Sequence, residues 1–256
     1  MELNGNTILI TGGTSGFGLH FATRLLAMGN TVIITGRDQA KLDQTRKALR
    51  GVHTYQSDVS DPNAIAALHK AVTAQFPALN MLINNAGEMR KINLHDAPAD
   101  LTREIEINLM GPIRMVQQFL PHLKTQPSAA ILNVTSGLAL ISFPVSPVYG
   151  ATKAGLRSYT QSLRVQLQFT NIKVFELLAP AARTPLIEQF SDERGFGPSA
   201  LMEPAKLVDV ALKAMKNNEP EIYPGMSKLL RIMSRLAPSL LLKQLGKVGQ
   251  SEWKRG

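Results

Sequence analysis

Short runs of β-branched and other apolar residues recur along the chain, each separated from the next by a segment of helical period. The runs are Thr7 to Thr11, Thr31 to Thr35, Val52 to Gln56, Met81 to Asn84, Ala130 to Thr135 and Ile172 to Leu178. Most are apolar on both faces, the pattern of strands covered from both sides in a parallel sheet. Asp61-Pro62 pairs a helix cap with a proline suited to the first helical position. The alternation predicts one doubly wound α/β domain, a parallel sheet of about seven strands with helices on both faces. No linker-like stretch interrupts this rhythm before residue 224, so residues 1–224 are expected to form the domain and 225–256 an extension.

The extension has its own pattern. At about 100° per residue, Met226, Leu229, Leu230, Met233 and Ala237 share one helix face, with Lys228, Arg231 and Arg235 opposite. Pro238 is expected to break that helix before Leu240-Leu241-Leu242. Three readings stay open: a helix packed on its own domain, an association surface for a partner chain, and weak contact with a membrane surface.

Composition narrows the function classes. Hydrophobic residues make up 44% of the 256 and charged residues 18%, ordinary for a folded domain. The formal charge is +9, but Lys228, Arg231, Arg235, Lys243, Lys247, Lys254 and Arg255 all fall in the extension, against Glu252 alone. The remainder is near neutral, which argues against a nucleic-acid partner. With no cysteine and five scattered histidines, no disulfide, thiolate chemistry or metal site is expected. No apolar run reaches the roughly 18 residues of a membrane span. The first residues lack the basic region of a signal peptide, so a cytoplasmic location is the expectation.

Gly12-Gly13-Thr14-Ser15-Gly16-Phe17-Gly18 follows the first strand and opens the first helix. Glycines there let backbone amides approach a pyrophosphate, and the helix N-terminus favours its charge. The second strand ends Thr35-Gly36-Arg37-Asp38. An acid at that strand end would bind ribose hydroxyls, whereas arginine accommodates a 2′-phosphate. Gly36 removes the acid and Arg37 follows, which favours NADP over NAD. Asp38 suits a helix cap, and a solvated Arg37 is the competing reading.

Ser136 closes the fifth apolar run, and Tyr149-Gly150-Ala151-Thr152-Lys153 opens a helical stretch to about Phe169. Tyr149 and Lys153 are four residues apart and share a helix face. An ammonium beside a phenol favours the phenolate, so Tyr149 is expected to titrate below its ordinary value. Such a tyrosine exchanges protons near neutral pH.

In this combination the sequence resembles the short-chain dehydrogenase/reductase family in its single-domain, Rossmann-type form, from about Asn6 to Tyr223. The resemblance implies that Tyr149 transfers a proton, Ser136 holds the substrate oxygen, and Lys153 binds the nicotinamide ribose. It also implies that Asn108 links Lys153 to solvent, the alternative being a helix kink or buried anchor. Asp58 and Val59 correspond to the adenine contact, and Asn85, Ala86 and Gly87 to the motif lining the ribose. Pro180 and Thr184 correspond to the nicotinamide segment, although Ala179-Pro180 stands where the family has Pro-Gly. Within the family, Gly29 to Arg37 and Phe175 to Leu186 resemble bacterial oxidoreductases associated with teichoic-acid D-alanylation.

The resemblance implies an NADP(H)-dependent oxidoreductase acting on a small-molecule carbonyl or alcohol, assembled as a homodimer or homotetramer. Gly137 to Val148 is mostly apolar and suits an apolar substrate, and Pro185 to Pro204, with Phe190, Gly195, Phe196 and Gly197, suits a mobile lid. The alternative is a non-catalytic NADP-binding regulatory or envelope-associated protein. Such a protein would typically lose Tyr or Lys, and both are present. A dehydratase or epimerase with the same residues also stays open.

Overall fold

The apolar runs pair side by side, all in parallel, in the strand order β3-β2-β1-β4-β5-β6-β7. This computed structural model describes residues 1–96, 100–190 and 201–248. The strands are β1 (Thr7–Thr11), β2 (Thr31–Gly36), β3 (His53–Gln56), β4 (Leu79–Asn84), β5 (Ala129–Ser136), β6 (Ile172–Ala179) and β7 (Glu221–Ile222). β7 is too short to stand out in the sequence, and it completes the sheet edge by pairing with Glu176 and Leu177.

Alternating side chains of each central strand feed two apolar layers. Ile8, Ile10, Ile34 and Leu132 pack beneath α1 (Gly16–Ala27), α2 (Gln39–Ala48) and α7 (Pro204–Lys216). Leu9, Ile33, Leu82 and Ile131 face α3 (Pro62–Gln75), α5 (Gly111–Thr125) and α6 (Pro147–Gln166). Both expected caps form: Asp38 accepts from the Lys41 amide at 3.1 Å and Asp61 from the Asn63 amide at 2.8 Å. Strand order reverses between β1 and β4, and a crevice opens there beyond the strand ends.

A short helix α4 (Arg103–Ile105) runs through a π-helical turn (Glu106–Met110) into α5. Pro112 has no N–H to offer the Asn108 carbonyl four residues back, which fits a wider turn at this point.

The extension folds as α8 (Met226–Leu236) and α9 (Pro238–Leu245). Pro238 ends one helix and also occupies the first turn of the next. Val248 joins a third cluster with Phe143, Ile187, Phe190 and Tyr149. Among the described residues no helix is long and apolar enough to cross a membrane.

Candidate active site

The Thr11 hydroxyl accepts from the amides of Asn85 at 3.0 Å and Ala86 at 3.1 Å. Asn85 Nδ2 donates back to the carbonyls of Thr11 and Gly12. The β1–α1 turn is thereby fastened to the end of β4. Gly12 has φ +67°, and a Cβ on it would stand 2.9 Å from Ala86 Cα. A Cβ on Gly18 would stand 2.2 Å from the Gly12 carbonyl oxygen, so neither position admits a side chain. Ser15 begins α1 without a side-chain cap, and the first turn holds no acid. The leading amides of α1 therefore suit an anion.

A cavity of about 1020 Å³ runs along the sheet ends. Gly12, Thr14, Ser15, Gly16, Phe17, Arg37, Asp58, Val59, Asn85, Ala86, Gly87, Ser136, Tyr149, Lys153, Pro180 and Thr184 all line it. Gly18 and Asn108 do not, because Gly18 packs behind the turn and Asn108 is wholly buried. Thr184 stands over the phosphate turn, its Cγ2 being 3.3 Å from where a Gly16 Cβ would lie. At the far end Arg37 is ion-paired with Glu88 at 3.3 Å.

Ser136 ends β5, while Tyr149 and Lys153 occupy the opening turns of α6. A ladder of amides fixes that helix to the sheet: Asn84 Nδ2 donates to Asn133 Oδ1, and Asn133 Nδ2 donates to Thr160 Oγ1, each at 2.9 Å. Lys153 Nζ donates to the Val134 carbonyl at 2.9 Å and lies 5.7 Å from the Tyr149 ring centre. Asn108 uses both side-chain atoms on Glu88, accepting from its amide at 2.8 Å and donating to its carbonyl at 2.7 Å. These two bonds make it a buried anchor, while its amide nitrogen and its oxygen each keep one further hydrogen-bonding position.

One electrostatic expectation is reversed. The protein's own groups push Tyr149 up to about 12, because burial outweighs the lowering by its hydrogen bond with Ser136, and Glu104 raises it further. Burial also pushes Lys153 down to about 8. Its ammonium is directed at a carbonyl oxygen, and the desolvation of both groups dominates their mutual effect.

Three acids escaped sequence reasoning. Glu176 sits fully buried inside apolar β6, ion-paired with Arg157 at 2.8 Å and accepting from the Thr135 hydroxyl at 2.7 Å. A lone acid in an apolar run was its available signal. Glu104 is fully buried and accepts from the Arg90 amide at 3.0 Å, yet Arg103-Glu104-Ile105-Glu106 reads as a solvated helix face. Glu88 follows the Asn85-Ala86-Gly87 motif and binds Arg103 as well as Arg37.

On the substrate side, Leu138, Ile141, Leu186, Ile187, Leu230 and Leu245 make an apolar wall. Phe190 of the expected lid is fully buried, its ring centre 6.2 Å from that of Phe143, so it is core. Gly195, Phe196 and Gly197 lie outside the described residues.

A nucleotide-sized crevice at the switch point of a doubly wound sheet has Ser136, Tyr149 and Lys153 in its lining, the arrangement expected of a nucleotide-dependent oxidoreductase. The chain belongs to the short chain dehydrogenase family, whose sequence pattern matches residues 6–195, and so to the oxidoreductases acting on CH–OH groups. The uncharacterized oxidoreductase DltE of Bacillus subtilis (strain 168) is 38% identical over 248 residues, 96% of this chain and 98% of that one. A fatty acyl-CoA reductase of Acinetobacter baylyi is 27% identical over 246 residues, 93% of this chain and 82% of that one. In fold, a Burkholderia cenocepacia short chain dehydrogenase solved with NADP superposes with a TM-score of 0.83 at 24% identity, over 96% of this chain and 99% of that one.

Proposed function

We propose that the protein is an NADP(H)-dependent oxidoreductase interconverting a carbonyl and an alcohol on a small apolar molecule, with Tyr149 as general acid and base. The observation that carries this is the convergence of Ser136, Tyr149 and Lys153 in one cavity with the uncapped start of α1. The glycine cradle and the amides of Ser15 to Phe17 would hold the pyrophosphate. Asp58 and Val59 would flank the adenine, and Pro180 and Thr184 the nicotinamide. When bound, the nicotinamide supplies or accepts the hydride.

The chain's own residues do the rest. The Ser136 hydroxyl donates to the substrate oxygen as charge grows on it. Tyr149, held near 12, keeps its proton at neutral pH and is poised to give it to a developing alkoxide. Lys153 would hold the ribose and restore the Tyr149 proton.

Two features support NADP over NAD. Gly36 leaves the strand end without an acid, although a Cβ there would meet nothing closer than 3.5 Å. Arg37 and Lys41 line the same end, while Asp38 is committed to capping α2. The apolar wall supports an apolar substrate, and the likeness to a fatty acyl-CoA reductase points the same way.

The test is consumption of NADPH and NADH with a panel of apolar ketones, aldehydes and acyl thioesters. Turnover of at least one with NADPH is expected. Binding of NADPH without turnover of any would favour a non-catalytic nucleotide-binding protein.

A further inference from the structure

The side on which α8 packs is not its apolar side. Ser227 is fully buried and Leu230 lies against Gly137, where an added Cβ would stand 2.9 Å from Leu230 Cδ1. With half-buried Ser234, these residues mark the packed arc. Met226 at 57%, Leu229 at 48%, Ile232 at 55% and Leu236 at 77% exposure occupy the neighbouring arc and remain uncovered. α9 continues the surface with Leu240 at 50% and Leu242 at 49%.

Contiguous exposed apolar surface of this kind marks an interaction site. Its surround is basic: Lys228, Arg235, Lys243 and Lys247 are exposed, and residues 225–248 contain no acid. Self-association by a twofold contact would set these cations against one another. An anionic bilayer matches both features, taking the leucine arc into the acyl boundary and the cations at its headgroups.

We propose that the uncovered arc of α8 is an in-plane docking surface for an anionic lipid bilayer, with the cations of α8 and α9 at the headgroups. Neither helix is long enough to span, so the contact is peripheral. Met226 belongs to the uncovered arc and to the wall of the catalytic cavity, so the docked surface adjoins that cavity.

The test is co-sedimentation of the full chain with phosphatidylcholine vesicles, pure or mixed in equal parts with phosphatidylglycerol, alongside light scattering. Salt-sensitive binding to the mixed vesicles alone is expected. The double variant Ile232→Ser/Leu236→Ser, and separately Arg235→Gln/Lys243→Gln, should weaken it roughly tenfold or more while leaving NADPH binding unchanged. The charge pair decides if the serine pair fails to fold. Absence of binding to mixed vesicles, or binding retained by the variants, would overturn the proposal. So would a dimer that Ile232→Ser/Leu236→Ser converts to monomer, since the face would then belong to a second copy. The readout is binding, so failure here leaves the catalytic reading standing.

Discussion

Arg37 Nη1 stands 3.3 Å from Glu88 Oε2, joining the end of β2 to the loop after β4 across one end of the cavity. Burial pushes Glu88 up, but Arg103 and Arg37 together bring it below the ordinary carboxylate range. Glu88 and a 2′-phosphate would compete for one guanidinium. Arg37→Ala is expected to cost roughly tenfold to a hundredfold in the NADPH:NADH ratio of kcat/KM, the scale of a hydrogen bond to a charged group. Glu88→Gln should move the ratio the other way by up to about fivefold, since exposed ion pairs contribute little. A ratio unmoved by Arg37→Ala would remove the NADP assignment.

Tyr149→Phe removes a transferable proton and leaves the cavity shape intact. Turnover should fall roughly a hundredfold to ten-thousandfold, the range of general acid–base catalysis. NADPH binding, followed by fluorescence, should persist. Near-normal turnover would mean that another group carries the proton.

Lys153 carries a stability cost that depends on pH. Its folded value near 8 lies below the ordinary 10.5, so the unfolded chain binds more protons between those limits. Stability should therefore rise with pH across that window. Lys153→Met abolishes the group and should flatten the rise. Tyr149, displaced upward, acts in the opposite direction only above pH 10. Urea unfolding at pH 7, 8, 9 and 10 measures the slope; equal slopes in variant and wild type would contradict it.

Glu176→Ala leaves Arg157 beside a buried, emptied site with only its longer ion pair to Glu221 at 3.6 Å, and frees Thr135, the neighbour of Ser136. A loss of about 2 kcal/mol in unfolding free energy is expected, because Arg157 loses its shorter buried partner and keeps only the Glu221 ion pair. Glu176→Gln, which keeps an acceptor for Thr135, should lose less.

The strands were legible because burial on both faces leaves continuous apolar runs, and β1 matches its expected bounds. The phosphate turn and Tyr149 with Lys153 were legible because each is local in sequence. Glu88 and Glu104 were not, since their partners or their burial come from chain folded back from elsewhere. The Tyr149 shift was hidden for a related reason: spacing reveals a neighbouring cation but not how much water the fold removes. In α8, amphipathic spacing identified an apolar face, yet packing is centred on Ser227, which the pattern alone does not reveal.

The phosphate turn, Arg37 and Asn85 come from the first third of the chain, whereas Leu230, Leu245 and Val248 come from its last stretch. During synthesis, chain emerges in that order. The nucleotide cradle can therefore assemble on the ribosome while the substrate side still lacks its closing wall.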